Sequence, residues 1–275
     1  MIKRLFVGLA FTGALLLTAA VAMAQHDMGG GSTSGAATSG GATSTRSAPV
    51  RRTIRRTTPP RTPPPVRRGI TAEQYNAQGD EFFKAENYDD ALEAYQRAVA
   101  LKPIAGAYYH IGWIYNDRDD FDNALSALQQ SVRLNPNDAV AFNELGYSYR
   151  NLKQYDQAIS AYRQAIQVRS DYATPYYQIG WIYNEREQFA QAVEPLRRAT
   201  SLKENYPEAY QELGYSLYKL NRPQEAIAAY QQSIQLKSDS GAAYLGLGDV
   251  YYYQTKQYRE ALAAYPRVKL AVRRW

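Results

Sequence analysis

Two tryptophan–asparagine pairs recur at one spacing, and their side chains are well suited to contact a ligand. Trp113 and Asn116 lie 68 residues before Trp181 and Asn184, each pair inside the phrase Ile-Gly-Trp-Ile-Tyr-Asn. A side-chain amide can donate to and accept from a peptide group, and a flat aromatic ring offers a large apolar face. This combination predicts noncovalent binding of an extended segment.

Residues that carry catalysis or hold metals are scarce. The chain has no cysteine, and its only histidines are His26 and His110, which excludes thiol chemistry and cysteine-ligated zinc. The carboxylates between Asp117 and Asp122 alternate as in a calcium loop, but the glycine and the closing glutamate of such a loop are missing. No nucleophile elbow or glycine-rich phosphate loop occurs. We therefore predict a protein that is not an enzyme and that uses no metal or cofactor.

The two phrases belong to a longer repeat that positions them. Its period is marked by six glycines that lie 33 or 34 residues apart: Gly79, Gly112, Gly146, Gly180, Gly214 and Gly248. Bulky residues four before and three after each glycine indicate one face of a first helix, and the glycine lets a partner helix approach closely. A second helix is predicted to begin at an equivalent residue of every unit: Tyr88, Phe121, Tyr155, Phe189, Pro223 and Tyr258.

These residues resemble the tetratricopeptide repeat, whose pattern W-x2-L-G-x2-Y, A-x3-F, P is matched six times from about Ala72 onward. The resemblance implies an all-α fold, a right-handed α-solenoid of six helix-turn-helix units within residues 71–275. The units are expected at about residues 72–104, 105–138, 139–172, 173–206, 207–240 and 241–275, and the one extra residue of the last unit is expected in its turn, near Thr255 and Lys256. It also implies that the first helices line a concave face. Some members bind a chain-terminal carboxylate there, but aromatic residues occupy the place of the key asparagine in this chain.

Side chains one and four residues after each glycine, and three before it, are expected to face this concave side. Twelve of them form the predicted groove for a protein or extended peptide: Trp113, Asn116, Tyr147, Arg150, Trp181, Asn184, Tyr215, Tyr218, Tyr109, Asn143, Tyr177 and Gln211. In a second interpretation the aromatic rings pack on the neighbouring first helix and stiffen the array. In a third, the aromatic ladder stacks on carbohydrate.

The amino end has the form of a secretory signal peptide over residues 1–24. Lys3 and Arg4 precede an uncharged apolar run, which ends in the small residues Ala22-Met-Ala24. The alternative is an uncleaved membrane anchor formed by residues 5–24. Both interpretations predict export, to the periplasm or the extracellular side of a bacterial envelope.

Residues 25–70 are predicted to be a disordered linker, rich first in Gly, Ser and Thr and then in Arg and Pro. They carry eight arginines against one aspartate, whereas the chain from Thr71 onward is slightly acidic. The linker is either a solvated spacer or an attachment to an anionic envelope polymer. Nucleic acid is disfavoured, because no aromatic residue interleaves the arginines.

Together these features predict an exported, non-enzymatic scaffold that binds a protein or an extended peptide in its concave groove. The alternatives are a structural module of the envelope that self-associates and a carbohydrate-binding module. The residues after Tyr265 either cover the carboxyl end of the array or leave an apolar face for a second copy.

Overall fold

The computed structural model describes the backbone of residues 69–272 and the side chains of residues 69–265. This part of the chain contains no strand and folds into helical hairpins. The helices are α1 (Ala72–Lys84), α2 (Tyr88–Leu101), α3 (Ala105–Asp117), α4 (Phe121–Leu134), α5 (Ala139–Asn151), α6 (Tyr155–Val168), α7 (Ala173–Glu185), α8 (Phe189–Leu202), α9 (Pro207–Lys219), α10 (Pro223–Leu236), α11 (Gly241–Asp249) and α12 (Tyr258–Val272).

The predicted all-α solenoid of six hairpins is confirmed, and every second helix begins at the residue that the repeat indicated. The signal peptide and nearly all of the linker lie outside the described residues. Between residues 69 and 272, no helix is both long and apolar enough to cross a membrane.

In each hairpin the two helices cross at the glycine that recurs once in every repeat, and this crossing lets the hairpin close. A Cβ on Gly112 would lie 2.4 Å from Leu128 Cγ, and one on Gly146 would lie 2.6 Å from Tyr162 Cε1. Neither distance is compatible with a real Cβ, so only glycine lets the side chain from the second helix reach the backbone of the first. The close approach predicted for the glycines is confirmed.

The turn inside each hairpin contains one non-glycine residue with a left-handed backbone. These residues have φ between 56° and 60°: Glu86, Asp119, Lys153, Glu187, Asn221 and Lys256. A left-handed residue after a helix ends it sharply and returns the chain. Here it turns each first helix back onto its second helix.

Successive hairpins stack so that the first helices form the inner layer. From α3 onward the first helices α3, α5, α7, α9 and α11 contact one another in turn, more closely than successive second helices do. The side of the array formed by the first helices is therefore the concave side, as the resemblance implied. Side chains that point away from the second helices on α3–α11 face this surface.

The first repeat is adapted to an exposed position at the amino end. Gln78, which precedes Gly79, is exposed to solvent. The equivalent residues of the later repeats are aliphatic and buried beneath the preceding hairpin: Ile111, Leu145, Ile179, Leu213 and Leu247. A polar residue at this position fits a face that, within residues 69–272, no preceding hairpin covers.

The one-residue insertion in the sixth repeat lies in the first helix. The prediction that it lies in the turn near Thr255 and Lys256 is wrong, because that turn is as short as the others. The chain leaves α11 at Asp249 and continues as a π-helix over Val250–Thr255, whose wider turn takes up one extra residue. Lys256 then has the same left-handed backbone as the other turns.

Candidate binding groove

The centre of the concave side holds an arginine between two aromatic rings. The Arg150 guanidinium carbon lies 5.0 Å from the centre of the Tyr147 ring and 4.9 Å from that of Trp181. Arg150 Nη1 donates to Gln178 Oε1 at 2.6 Å, which links α5 to α7. All four side chains are half-buried. The structure thus brings three of the predicted groove residues together, as a flat cationic and aromatic surface that suits a polar chain with apolar side groups.

The aromatic residues that follow the glycines also pack on the preceding hairpin. The Trp113 ring lies 5.0 Å from Phe83 and 5.4 Å from Tyr88, the first residue of α2. Tyr147 and Phe121 are 6.1 Å apart. Each ring is half-buried, so the packing interpretation holds for one part of the ring, and another part stays open to the concave side.

The same packing occurs in the fifth repeat. The Tyr215 and Phe189 rings are 5.7 Å apart and nearly perpendicular. The Lys219 ammonium lies 5.4 Å from the Tyr215 ring centre. Tyr218, one turn beyond Tyr215, is half-buried, and burial raises the pKa of its hydroxyl. These residues continue the aromatic and cationic row from the centre of the groove toward its carboxyl end.

Contrary to the prediction, the Asn116 side chain is not part of the open groove surface. Its side chain is only 4 % exposed. Its Nδ2 donates to the backbone oxygen and to Oε2 of Glu144, both at 3.2 Å, and its Oδ1 accepts from Ser148 Oγ at 2.7 Å. Both amide hydrogens and the amide oxygen are therefore engaged with the next repeat. Asn116 joins α3 to α5.

Asn184 makes the same contacts two repeats later and is also wrongly assigned to the groove surface. It is 4 % exposed, and its Nδ2 donates to Glu212 O at 3.1 Å and to Glu212 Oε2 at 2.9 Å. Ser216 Oγ donates to its Oδ1 at 2.7 Å. A buried polar side chain is stable only when it is hydrogen-bonded, and these two networks meet that condition.

These contacts belong to a row that joins consecutive repeats. In each case a residue four after one glycine meets the residue two before the next glycine. In the first junction the Phe83 and His110 rings are 4.6 Å apart, and in the third Arg150 bonds to Gln178. The residues two before each glycine were not among those predicted to line the groove. The repeated phrase Glu-Leu-Gly-Tyr-Ser contains both the glutamate and the serine of the asparagine network, and it was the available signal.

Glu144 and Glu212 are the two acids of this row, and both are half-buried. Burial raises the pKa of the Glu144 carboxyl, while hydrogen bonds from Asn116 and Asn143 partly oppose the shift. Burial likewise raises the pKa of Glu212, opposed by the hydrogen bond from Asn184. A carboxylate in this setting is less well stabilised than one in water, because its charge has lost solvent without gaining a cation.

The four predicted residues that precede the glycines by three lie near the starts of the first helices. The Tyr177 ring is 5.0 Å from Tyr206. Burial, and then the charges of Glu144 and Asp138, raise the pKa of the Tyr109 hydroxyl to about 12. Tyr109 and Tyr177 are half-buried. Their position in the repeat precedes that of Arg150 by seven residues, so they lie toward the other end of the first helices.

The two amides at the same position have different surroundings. Asn143 is 7 % exposed, and its Nδ2 donates to Glu144 Oε1 at 3.3 Å, while its Oδ1 has no hydrogen-bond partner among the described residues. Gln211 Oε1 instead accepts from Ser240 Oγ at 3.1 Å. Within the described side chains, no group of three or more His, Asp or Glu residues could hold a metal ion.

Two family models with the description Tetratricopeptide repeat match residues 76–139 and 212–270, and residues 137–205. Together they cover more than half of the chain. The chain belongs to the tetratricopeptide-repeat (TPR) family. The twelve helices and six hairpin glycines described above are the structural counterpart of this match.

Several solved structures share the TPR fold with this chain. MamA is 24 % identical, with a TM-score of 0.56 over 60 % of this chain and 95 % of that one. YrrB, described as a TPR protein with an unusual peptide-binding site, is 22 % identical, with a TM-score of 0.56 over 66 % of this chain and 93 % of that one. Pseudomonas aeruginosa pilF is 18 % identical, with a TM-score of 0.61 over 70 % of this chain and 88 % of that one. At these identities the likeness concerns the fold alone.

A curated relative matches a shorter part of the chain. Heat shock protein STI1 of Saccharomyces cerevisiae is 29 % identical over 76 residues, which is 27 % of this chain and 13 % of STI1. The TPR chain therefore matches far less than two thirds of that protein.

Proposed function

We propose that this TPR chain is an exported, non-enzymatic scaffold that binds an extended segment of a partner protein along its concave side. The coarser role, a TPR scaffold for protein–protein interaction, follows from the family. Export is supported by the composition of residues 1–24, which favours a cleaved signal peptide and delivery to the periplasm or the extracellular side of a bacterial envelope. The arginine-rich linker would then set the distance of the array from the envelope or attach it to an anionic polymer there.

The observation that carries the peptide-binding proposal is the Arg150 stack between Tyr147 and Trp181. Aromatic and arginine side chains that are rigid before binding lose little conformational freedom on contact, and they dominate the energetics of protein interfaces. Arg150 is held on both sides by rings and at Nη1 by Gln178, so it is already ordered. The peptide-binding site in the description of YrrB gives this proposal a precedent on the same fold.

The double variant Trp113→Ala and Trp181→Ala is expected to capture partners more than tenfold more weakly, which is the loss typical of interface hot spots. The full chain and its variants would be coupled to a resin and exposed to envelope extract, and the captured proteins quantified by mass spectrometry. Arg150→Ala is a second variant that leaves both tryptophans in place. Arg150→Ala should also capture less of the same proteins.

The matched control is Phe82→Ala, because Phe82 is an exposed aromatic residue outside the groove. Capture by this variant should equal that of the unaltered chain. The helical circular dichroism signal of every variant would be recorded beside the capture. Equal capture by the tryptophan, arginine and Phe82 variants would contradict the proposal. A loss of helical signal in the tryptophan variant would show that the two tryptophans stabilise the fold by packing.

A self-associating module is the second candidate, and the carboxyl face of the sixth repeat favours it. Leu262 is 69 % exposed and Tyr258 is 51 % exposed. In earlier repeats the residues equivalent to Leu262 are buried or half-buried beneath the next hairpin: Leu92, Leu125, Ile159, Val193 and Ile227. The amino face presents the polar Gln78 at the position that would meet Leu262. We therefore favour pairing of two carboxyl faces over stacking of one array on the next.

Leu262→Glu is expected to convert such a dimer to a monomer, because the pairing would bury a charge at its centre. Light scattering of the full chain across a range of concentrations measures the change in mass. Leu101→Glu is the control, since Leu101 is 60 % exposed at the end of α2, away from this face. A strict monomer for the unaltered chain would remove this candidate.

A further inference from the structure

Glu144 is a carboxylate of the groove that lacks a positive partner. Its two oxygens each accept one amide hydrogen, from Asn143 and from Asn116. A carboxylate has about four lone-pair directions, so each oxygen retains further capacity to accept. None of the ion pairs formed within the described residues includes Glu144.

An acceptor that has no donor lies beside this carboxylate. Asn143 Nδ2 donates to Glu144 Oε1, which places the amide oxygen of Asn143 in the same neighbourhood. This oxygen is buried, since Asn143 is 93 % buried, and it accepts no hydrogen bond among the described residues. A buried acceptor without a donor is costly, so the site is short of hydrogen-bond donors. A ligand that brings several donors would satisfy Glu144 directly, and the amide oxygen as well once the Asn143 side chain turns toward the ligand.

Aromatic side chains complete the surroundings. Tyr109 and Tyr172 lie near enough to Glu144 for its charge to raise the pKa of both hydroxyls, in addition to the larger effect of burial. The Tyr172 ring already accepts one guanidinium, that of Arg169, at 3.8 Å from its centre. Tyrosine rings beside a carboxylate attract cations through their negative faces.

We propose that Glu144, Asn143, Tyr109 and Tyr172 form a subsite for a basic side chain of the bound segment, with arginine as the preferred residue. The inference rests on the proposed function, because it assigns a chemical class to one residue of the peptide in the groove. A guanidinium group presents five donors in a planar fork, which can serve a carboxylate and an amide oxygen at once. A lysine ammonium carries the same charge but matches this pair of acceptors less well.

The chain contains a matched comparison site two repeats later. Glu212 makes the same hydrogen bonds with Asn184 as Glu144 makes with Asn116, and Tyr177, the counterpart of Tyr109, lies near enough for the charge of Glu212 to raise the pKa of its hydroxyl, in addition to the larger effect of burial. The differences are Gln211 in place of Asn143 and Ser240 in place of Tyr172, and the side-chain oxygen of Gln211 accepts from Ser240 Oγ. The second site therefore has neither an amide oxygen without a donor nor the second tyrosine, and a weaker preference for arginine is expected there.

The test uses the full chain and two fluorescent six-residue peptides. One alternates proline with arginine, and the other has citrulline in place of arginine, which keeps the shape and removes the charge. Fluorescence anisotropy should give binding of the arginine peptide at least tenfold tighter than that of the citrulline peptide. Glu144→Gln should remove most of this preference, whereas Glu212→Gln should change it less than threefold.

The two substitutions control for damage to the fold, because both alter a glutamate that bonds to a buried asparagine. Equal effects of Glu144→Gln and Glu212→Gln would overturn the subsite, as would equal binding of the two peptides or no binding of either. Failure of the basic subsite can be distinguished from failure of the whole groove. If both peptides bind equally and the binding is lost in the Trp113 and Trp181 double variant, the groove stands and the basic subsite falls.

Discussion

Gly180→Ala is expected to lower the free energy of unfolding of the TPR array by about 1–3 kcal/mol, the usual cost of overpacking a core. A Cβ at residue 180 would lie 2.4 Å from Leu196 Cγ and 2.8 Å from Cδ2. Leu196 is fully buried in α8, so it has no free space into which it can move. The helices α7 and α8 would have to separate, and the packing between the fourth hairpin and its neighbours would loosen.

Gly106→Ala is the matched control, because Gly106 is also a glycine in a first helix. A Cβ there has no neighbour within 4 Å. Alanine is a better helix former than glycine, so this change should leave the free energy of unfolding unaltered or raise it by up to about 1 kcal/mol. Urea unfolding followed by circular dichroism gives both values. A Gly180→Ala protein as stable as Gly106→Ala would mean that the hairpin crossing does not depend on the glycine.

A double-mutant cycle identifies the clash as the cause. Leu196→Ala alone should cost about 2–5 kcal/mol, because it leaves a cavity in a fully buried position. Adding Gly180→Ala to it should cost much less than in the unaltered chain, since the new Cβ would occupy part of that cavity. Strict additivity of the two changes would contradict the geometric explanation.

The fold could be predicted from the sequence because six copies of one unit repeat the same alternation of small and large residues. The copies also differ from one another in the second-helix residue that packs beneath the first helix. Beneath Trp113 and Trp181 the second helix supplies a leucine, whereas in the first and sixth repeats it supplies a tyrosine whose hydroxyl donates to an aspartate. In the first repeat this bond joins Tyr95 to Asp80 at 2.9 Å. The residue after the glycine and its partner on the second helix thus vary together.

The direction of the asparagines could not be predicted from the repeat alone. Asn116 and Asn184 occupy a helical position at the boundary between the groove and the next first helix. Polar residues at such a boundary turn toward solvent unless the neighbouring helix offers partners, and the partners here are 28 and 32 residues away in sequence. Arg150 occupies the equivalent position and lies between aromatic rings instead. The side chain on the next repeat decides between the two outcomes.

The insertion in the sixth repeat was misplaced for a related reason. One extra residue can enter either a turn or the helix before it, and the local sequence around Thr255 does not distinguish the two. The tight hairpin turn, with its left-handed residue, is kept in every repeat. Keeping this turn leaves the helix to absorb the residue as a π-helix. The constraint comes from the hairpin as a whole.

Asn184→Ala is expected to lower the free energy of unfolding by about 1–3 kcal/mol, although it changes a residue first assigned to the groove. The substitution leaves the buried Ser216 hydroxyl without the Asn184 acceptor and Glu212 Oε2 without its amide donor. Asn116→Ala should cause a loss of similar size, because Asn116 makes the equivalent hydrogen bonds two repeats earlier. Urea unfolding of the two variants measures both losses.

A double-mutant cycle between Asn184 and Ser216 then separates a structural role from a binding role. If the asparagine joins the fourth and fifth repeats, Ser216→Ala should cost less in the Asn184→Ala background than alone, because the shared hydrogen bond is already absent. A ligand-binding amide would behave differently: Asn184→Ala would leave the stability unchanged and reduce partner capture as the tryptophan variants do. Since rigid spacing between repeats is what holds Tyr147, Arg150 and Trp181 in one stack, loss of the asparagine should also weaken capture, but only together with stability.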